Sequence, residues 1–235
     1  MKKIFIIFFF TSFIIGHDKI KENLKWKQYF RLGTVFSENS QLGIAGYARL
    51  KRTTESTFKD VRLFSHLYEN NTELKLRYKS SQRFLSFQSL YSFNTLYYEK
   101  NSILDVNLRY HLNQGLGVII NKNAFGNATI EAGTAFDNSD YLNTEQKTTY
   151  ARSAISFDRA FQSISTKVEV DYFYQISEVY DKINLSRLEF LNEFEWGFSK
   201  QIGLIAGFTW TMQKNYKSPS CFITISYKDP LSWVI

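Results

Sequence analysis

Acidic residues fall at even spacings in two neighbouring segments, a pattern that places their side chains on one wall. Glu169 and Asp171 lie in the first segment, and Glu189, Glu193 and Glu195 lie in the second. Two carboxylates that face a shared cavity can act as general acid and general base, as in glycoside hydrolysis. Acid–base catalysis is therefore the first chemistry that these residue types suggest.

Basic residues occupy the same wall in phase with these acids. Lys167 lies two residues before Glu169, and Arg187 lies two residues before Glu189. Arg152 lies one segment earlier. Opposite charges on neighbouring strands normally pair, so we expect an ion-paired lining rather than a catalytic pair. Charged linings also bias which ions pass a pore. The predicted lumen or pore-lining residues are Asp105, Arg109, His111, Glu131, Arg152, Lys167, Glu169, Asp171, Arg187, Glu189, Glu193 and Glu195.

Histidine is the other residue type that could support catalysis. His66 and His111 share a polar face with Arg62 and Arg109. An outer-membrane lipid-modifying enzyme would need a Ser–His pair at the lipid-facing surface, where its substrate lies. Because both histidines fall on the polar face, we predict no enzymatic activity and keep this enzyme class as an alternative.

Recognised motifs for cofactors, metals and nucleic acids are absent from the sequence. It contains no glycine-rich phosphate loop, no metal-ligand spacing and no nucleophile elbow. Cys221 is the only cysteine, so no disulfide framework forms within the chain. The net charge of +7 is spread among acidic residues, which does not favour nucleic-acid binding. We expect no cofactor and no nucleic-acid partner.

The elements that must position these side chains are β-strands. From Leu104 to Ile120 polarity changes at nearly every residue, a period that only a strand produces. The run exceeds the roughly ten residues of an ordinary strand. In a membrane barrel, lipid covers the apolar face and the lumen takes the charges. We expect Leu104, Val106, Leu108 and Tyr110 to meet lipid and Asp105, Arg109 and His111 to point inward.

Alternation of this kind recurs along most of the chain and predicts about twelve antiparallel strands. An unpaired strand edge is too costly in hydrocarbon, so the sheet must close into a barrel. The chain is 17% aromatic, as is typical of strands and membrane interfaces. In one segment, the alternation predicts that Tyr91 and Phe93 face outward and that Ser92 and Asn94 face inward.

The connections between strands give a separate test of this topology. If the N-terminus lies in the periplasm, the odd-to-even connections are extracellular and should be the longer ones. The longest, Asp137 to Gln146, is predicted to join the seventh strand to the eighth, whereas Asn121–Ala124 and Arg159–Gln162 are short. Aromatic residues near both strand ends predict the two girdles of a membrane barrel. They are Phe36, Tyr68, Tyr97, Tyr98, Phe136 and Tyr174 at one end and Tyr78, Phe157, Phe161, Trp196 and Phe198 at the other.

The first sixteen residues have the layout of a secretory signal peptide. Lys2 and Lys3 precede an apolar block from Ile4 to Ile15, and Gly16 is a small residue near the expected cleavage point. The block is shorter than the roughly twenty residues of a membrane-spanning helix. We therefore predict a signal peptide over residues 1–16 and one barrel domain over residues 17–235.

Several glycine and aromatic patterns resemble the family of salt-induced outer-membrane proteins. These are Gly115-Leu-Gly-Val-Ile119, Ile130-Glu-Ala-Gly133, Tyr150-Ala-Arg-Ser153 and the paired strands from Phe190 to Tyr227. The resemblance implies a closed outer-membrane barrel with no assigned enzymatic activity and no functional residues to transfer. Outer-membrane barrels commonly end on an aromatic residue that is recognised during assembly, whereas Lys228 to Ile235 follow Tyr227 here. We expect that recognition signal at Tyr227 or Trp233.

Together these patterns predict an all-β, closed transmembrane barrel of the bacterial outer membrane. The predicted function is a structural or narrow-pore role, with outer-membrane lipids and the barrel-assembly machinery as partners. A secreted soluble barrel that binds an apolar ligand is a further alternative, and it requires apolar residues inside and charges outside. The sequence leaves the oligomeric state open.

Overall fold

The computed structural model describes residues 26–37, 42–102, 106–123, 125–139, 146–177, 184–214 and 216–229. The predicted signal peptide and the segment that follows it, residues 1–25, lie outside this range. The strands are β1 (Lys27–Ser37), β2 (Leu42–Thr53), β3 (Thr57–Tyr68), β4 (Thr72–Phe84), β5 (Phe87–Asn101), β6 (Val106–Asn123), β7 (Gly126–Ser139), β8 (Gln146–Phe161), β9 (Ile164–Gln175), β10 (Arg187–Gly197), β11 (Ile202–Gln213) and β12 (Tyr216–Asp229). The described residues form no helix long and apolar enough to cross a membrane.

The twelve strands close into one antiparallel barrel, as the alternation predicts. Each strand pairs with its neighbours in sequence, and β1 pairs with β12 from Gln28–Asp229 to Ser37–Ser220. Closure leaves no strand with unpaired backbone groups along its edge, which is the condition for a sheet to enter hydrocarbon. The predicted fold class is confirmed.

The two ends of the barrel differ in their connections. The end that carries the even-to-odd connections, here called the turn end, has links of two to four residues. The opposite end, the loop end, carries the odd-to-even connections, of which 176–186 between β9 and β10 is the longest. The prediction that the seventh and eighth strands have the longest connection is wrong. The β7–β8 ladder continues to Ser139–Gln146, which leaves only residues 140–145 between the strands.

Strand β6 contains most of the long alternating run that the sequence reveals. It spans 18 residues and is the longest of the twelve strands. It ends at Asn123 rather than Ile120 because a bulge between Ile119 and Asn121 lets pairing with β7 continue. Tyr110 is exposed on the outside and His111 is buried inside, as expected. Leu104 and Asp105 lie outside the described residues.

Apolar side chains cover the outside of the barrel, and charged side chains fill its inside. Leu32 and Ile225 are more than 60% exposed on the outer surface, whereas Asp60 and Glu131 are buried. A soluble ligand-binding barrel requires the opposite arrangement. The described residues therefore exclude that alternative, and they match a barrel whose outer surface is covered by lipid.

Strand β5 reverses part of the predicted orientation. Tyr91 and Phe93 are buried inside the barrel, while Asn94 is exposed on the outside and Ser92 is partly exposed. The prediction for this segment is wrong, because inside the lumen the Phe93 ring forms cation–π contacts with two basic side chains. Lys79 Nζ lies 5.1 Å and Arg152 Cζ lies 5.3 Å from the ring centroid. A ring inside a charged lumen breaks the rule that apolar residues face lipid.

The predicted aromatic girdles are present except at three positions. Tyr68 is buried among Val35, Ala45 and Phe222, and Tyr97 faces inward on β5, where Arg77 Cζ lies 5.4 Å from its ring. Tyr78 is exposed but lies at the middle of β4. The other predicted rings are partly or fully exposed: Phe36, Tyr98, Phe136 and Tyr174 near the loop end, and Phe157, Phe161, Trp196 and Phe198 near the turn end. The outer surface thus carries aromatic residues at both ends of the strands.

Gly33 lies on β1 where this strand approaches β12 closely. A Cβ at this position would lie 2.1 Å from the carbonyl oxygen of Ile223, whereas a Cβ at Gly46 would meet its nearest atom at 3.9 Å. We expect Gly33→Ala to lower the free energy of unfolding by about 1–3 kcal/mol through overpacking. Gly46→Ala, the matched control, should change it by less than about 0.5 kcal/mol. Urea titration in lipid vesicles measures both, and equal effects would contradict the close approach.

Candidate functional site: the barrel lumen

The predicted lining residues that the structure describes all lie on inward faces of their strands. They alternate with exposed neighbours such as Tyr110, Ile130, Tyr172 and Phe194. Asp105 is the only member of the predicted set outside the described residues. The geometry of their ion pairs shows how they are arranged in the lumen.

Glu131 lies at the centre of an ion-paired cluster that crosses the lumen. Its carboxylate accepts hydrogen bonds from Tyr91 Oη at 2.8 Å and Arg152 Nη1 at 3.0 Å, and it also pairs with Lys79. Arg152 pairs in turn with Asp171. Since Lys79 is on β4 and Glu131 is on β7, the pair crosses the lumen in front of β5 and β6. One carboxylate therefore compensates two cations inside the barrel.

Two further ion pairs connect strands that are far apart around the barrel. Both terminal nitrogens of Arg31 on β1 donate hydrogen bonds to the Glu193 carboxylate on β10, at 2.5 and 2.9 Å. Arg62 on β3 lies 3.5 Å from Glu169 on β9, and these strands are directly opposite in the ring of twelve. Lys167 also pairs with Glu169 at 2.9 Å. The Arg31–Glu193 and Arg62–Glu169 pairs join separate walls of the lumen, whereas Lys167 and Glu169 lie on the same strand.

A compact cluster, here called the plug, occupies the β6 to β10 side of the lumen near the loop end. Arg187 donates to Asp137 at 2.9 Å and to Glu189 at 2.7 Å, and His111 pairs with Asp137. Arg187 Cζ lies 4.1 Å from the Phe173 ring centroid. Ala135, Tyr150, Phe173 and Leu185 pack as a buried apolar group beside these charges. The plug comprises Arg187, His111, Asp137, Glu189, Ala135, Tyr150, Phe173 and Leu185.

The remaining predicted residues pair along the wall. Arg109 donates to Glu99 at 3.1 Å on the adjacent strand. Glu195 accepts from Lys228 at 2.6 Å and from the Ser226 hydroxyl at 2.8 Å.

Several residues that form the lumen network are missing from the predicted set. Arg31, Asp60, Arg62, Lys79 and Asp137 each form ion pairs inside the barrel. Asp60 is fully buried and accepts from Arg49 at 2.6 Å and from Arg62 at 2.5 Å. These residues fall on the polar faces of β1 to β4 and β7. The alternation of polarity along those strands would have identified them.

The turn-end half of the lumen is an open cavity of about 720 Å³. All twelve strands contribute to its wall, which includes thirteen basic and six acidic side chains. Within the described residues, six of these basic side chains form no ion pair, compared with one acidic side chain, Asp158. The six basic side chains are Lys27, Lys51, Arg77, Arg83, Lys122 and Arg159. Basic side chains therefore outnumber acidic ones in the lining, and the cavity carries a net positive charge.

The alternatives that require catalysis find little support in this geometry. His66 pairs with Glu73 at 2.9 Å and is buried inside, as is His111, so neither ring reaches the lipid-facing surface. The acids that suggested general acid–base chemistry each contact a basic side chain. In the part of the chain that the structure describes, no three His, Cys, Asp or Glu side chains converge to hold a metal ion.

A closed barrel with an apolar exterior and a charged lumen defines an outer-membrane β-barrel. No protein-family model and no curated protein matches the chain. Among solved structures, it is similar to the NanC porin, with a TM-score of 0.56, 10% identity and coverage of 85% of this chain and 100% of that chain. It is also similar to the KdgM porin in complex with disordered oligogalacturonate, with a TM-score of 0.51, 8% identity and coverage of 86% and 98%.

The translocator domain of the autotransporter NalP from Neisseria meningitidis gives a TM-score of 0.50 at 11% identity, covering 90% of this chain and 89% of that chain. These identities are low, so the similarity shows the fold alone. That fold is shared by porins and by an autotransporter domain. The fold places the chain among the β-barrels of the bacterial outer membrane.

Proposed function

We propose that this protein is a narrow outer-membrane channel that prefers small anions. The observation that carries the proposal is the excess of unpaired basic side chains around the turn-end cavity. A cavity lined by one sign of charge between low-dielectric walls concentrates ions of the opposite sign. In the proposed channel, the plug forms the constriction and the cavity supplies the selectivity.

The plug contains two carboxylates and one guanidinium, so it does not supply a preference for anions. Arg187 is opposed by Asp137 and Glu189, and both carboxylates lie within 2.9 Å of its nitrogens. The preference must then arise where cations outnumber acids, at the turn end. The similar KdgM porin was solved with an oligogalacturonate, which is an anionic oligosaccharide. A barrel of this fold can therefore accommodate an anionic solute.

Reversal potentials across a planar bilayer test the proposal. With a KCl gradient across wild-type channels, we expect a potential that shows chloride permeating faster than potassium. Replacing Lys51, Arg83 and Lys122 with Gln should lower the anion-to-cation permeability ratio about fivefold, because half of the unpaired cations are removed. A cation-selective wild-type channel, or the absence of current after verified insertion, would overturn the proposal.

A matched triple variant controls for a general loss of positive charge. Lys100, Lys147 and Lys214 lie near the loop end, are exposed and do not line the cavity. Replacing these three lysines with Gln removes the same charge from the protein. The permeability ratio should then stay within about 1.5-fold of the wild-type value, since screening by salt limits the reach of exposed charges to about 10 Å.

A further inference from the structure

The lipid-facing surface carries a row of polar side chains at its centre. Ser80 on β4, Asn94 on β5, Gln114 on β6 and Thr134 on β7 pair in register as neighbours around the barrel. Asn94, Gln114 and Thr134 are exposed and Ser80 is partly exposed. This set, here called the polar row, crosses four consecutive strands on a surface that is otherwise mostly apolar.

The polar row lies at the depth of the hydrocarbon core. Asn94 has seven residues of β5 on either side, and Gln114 has eight residues of β6 before it and nine after it. No side-chain hydrogen bond joins Asn94 or Gln114 to another described residue. An amide group in hydrocarbon without a partner is costly, and lipid tails offer none. A polar partner within the membrane would therefore stabilise the row.

The other walls of the barrel show no comparable row. Phe208, Ile223 and Leu32 lie near the middle of the outward faces of β11, β12 and β1. Asn192 on β10 also lies near a strand centre, but its neighbours in register are Val168 and Phe208. The uninterrupted series of polar residues is thus confined to one wall.

We propose that the polar row is the contact through which two copies of this chain associate side by side. Read across the strands, its chemistry is hydroxyl, amide, amide, hydroxyl, which is the same in both directions. A two-fold axis along the membrane normal between Asn94 and Gln114 brings Asn94 of each copy opposite Gln114 of the second copy. Each amide both donates and accepts hydrogen bonds, so the two amide pairs satisfy one another.

The surroundings of the row fit a contact of this kind. Strand tilt of roughly 40° separates the outer Ser80 and Thr134 across the axis, so the two amides carry the contact. Ala132 and Ala151 are exposed beside the row, and small side chains allow close approach, as they do between membrane helices. A face about 19 Å wide from β4 to β8 and about 25 Å tall covers roughly 1,000 Å² for two copies, near the lower limit of specific interfaces.

Thiol cross-linking in outer-membrane vesicles tests the proposal directly. Leu116 is exposed on β6 beside Gln114, and Cys221 is exposed on β12, away from the row. In a Cys221→Ser background, Leu116→Cys with a short bismaleimide should give a product of twice the chain mass. The yield of this product should be at least about tenfold above the yield from the unmodified chain, in which Cys221 is the cysteine available for cross-linking. Equal yields, or an adduct of another mass that reveals a different protein partner, would overturn self-association.

Removal of the two amide side chains provides a second test of the proposal. Asn94→Leu with Gln114→Leu, added to the Leu116→Cys chain, should reduce the cross-linked product about tenfold. Heat-modifiable migration on a gel should persist, because leucine is favourable on a lipid-facing surface and the barrel still folds. Ser65→Leu with Asn192→Leu is the matched control on other walls and should leave the yield unchanged. Undiminished cross-linking of the folded Asn94→Leu/Gln114→Leu chain would refute the role of the polar row.

Discussion

Replacing Glu131 with alanine is expected to lower the free energy of unfolding by about 3–5 kcal/mol, the cost of leaving a buried charge without its partner. Glu131 is 4% exposed, and its carboxylate faces both Lys79 and Arg152. Arg152 retains Asp171, but Lys79 has no other ion pair within the described residues. Urea titration of the folded barrel in lipid vesicles measures the change.

Asp158 supplies the matched control for this experiment. It is an exposed carboxylate on β8 that lines the same cavity and forms no ion pair among the described residues. Asp158→Ala should change the free energy of unfolding by no more than about 0.5 kcal/mol. The double variant Glu131→Ala/Lys79→Ala should be less destabilised than the two single variants added together, because it removes both partners. Strict additivity would show that the pair is not coupled.

Removing the apolar part of the plug is expected to raise single-channel conductance at least about threefold, because the narrowest section of a pore limits its current. The variant is Tyr150→Ala/Phe173→Ala/Leu185→Ala. These three side chains are buried together at the loop end, so their loss opens space that water can fill. The variant leaves every charged side chain in place. Single-channel recording in planar bilayers measures the increase.

The chain offers a control variant with the same three residue types on the opposite face of the sheet. Tyr174, Phe136 and Leu67 are exposed on the outer surface near the loop end. Their replacement with alanine removes the same atoms but leaves the lumen unchanged. Conductance should remain at the wild-type value, and an equal increase in both variants would show that the plug does not limit the current.

The period of two was sufficient to predict the fold because it is a local property of each strand. Twelve strands, antiparallel order and closure all follow from it, since each segment must place one face in lipid. The orientation of a strand is less certain where both faces are mixed. On β5, the Tyr91 hydroxyl donates to the Glu131 carboxylate and the Phe93 ring faces Lys79 and Arg152 in the lumen, whereas hydropathy alone points both residues outward.

The pairing of the lumen charges could not be read from the sequence. Arg62 and Glu169 lie on strands that are opposite each other only because the barrel has twelve strands. Strand number and stagger together decide which side chains meet across the interior. The local alternation identifies a charged face on each strand, but it does not identify the partner of each charge. The same limit applies to the plug, where Leu185 lies beside the apolar members of β7, β8 and β9.

The unequal halves of the lumen also have an electrical consequence. Cations without an ion pair surround the turn end, whereas the loop end holds the plug, which has no excess of cations. In a pore charged at one mouth only, a voltage of one sign accumulates anions in the charged section and the opposite sign depletes them. The current through the channel should therefore be larger at one polarity than at the other. The barrel would act as a rectifier, and the sign of that asymmetry would report which way it is inserted in the membrane.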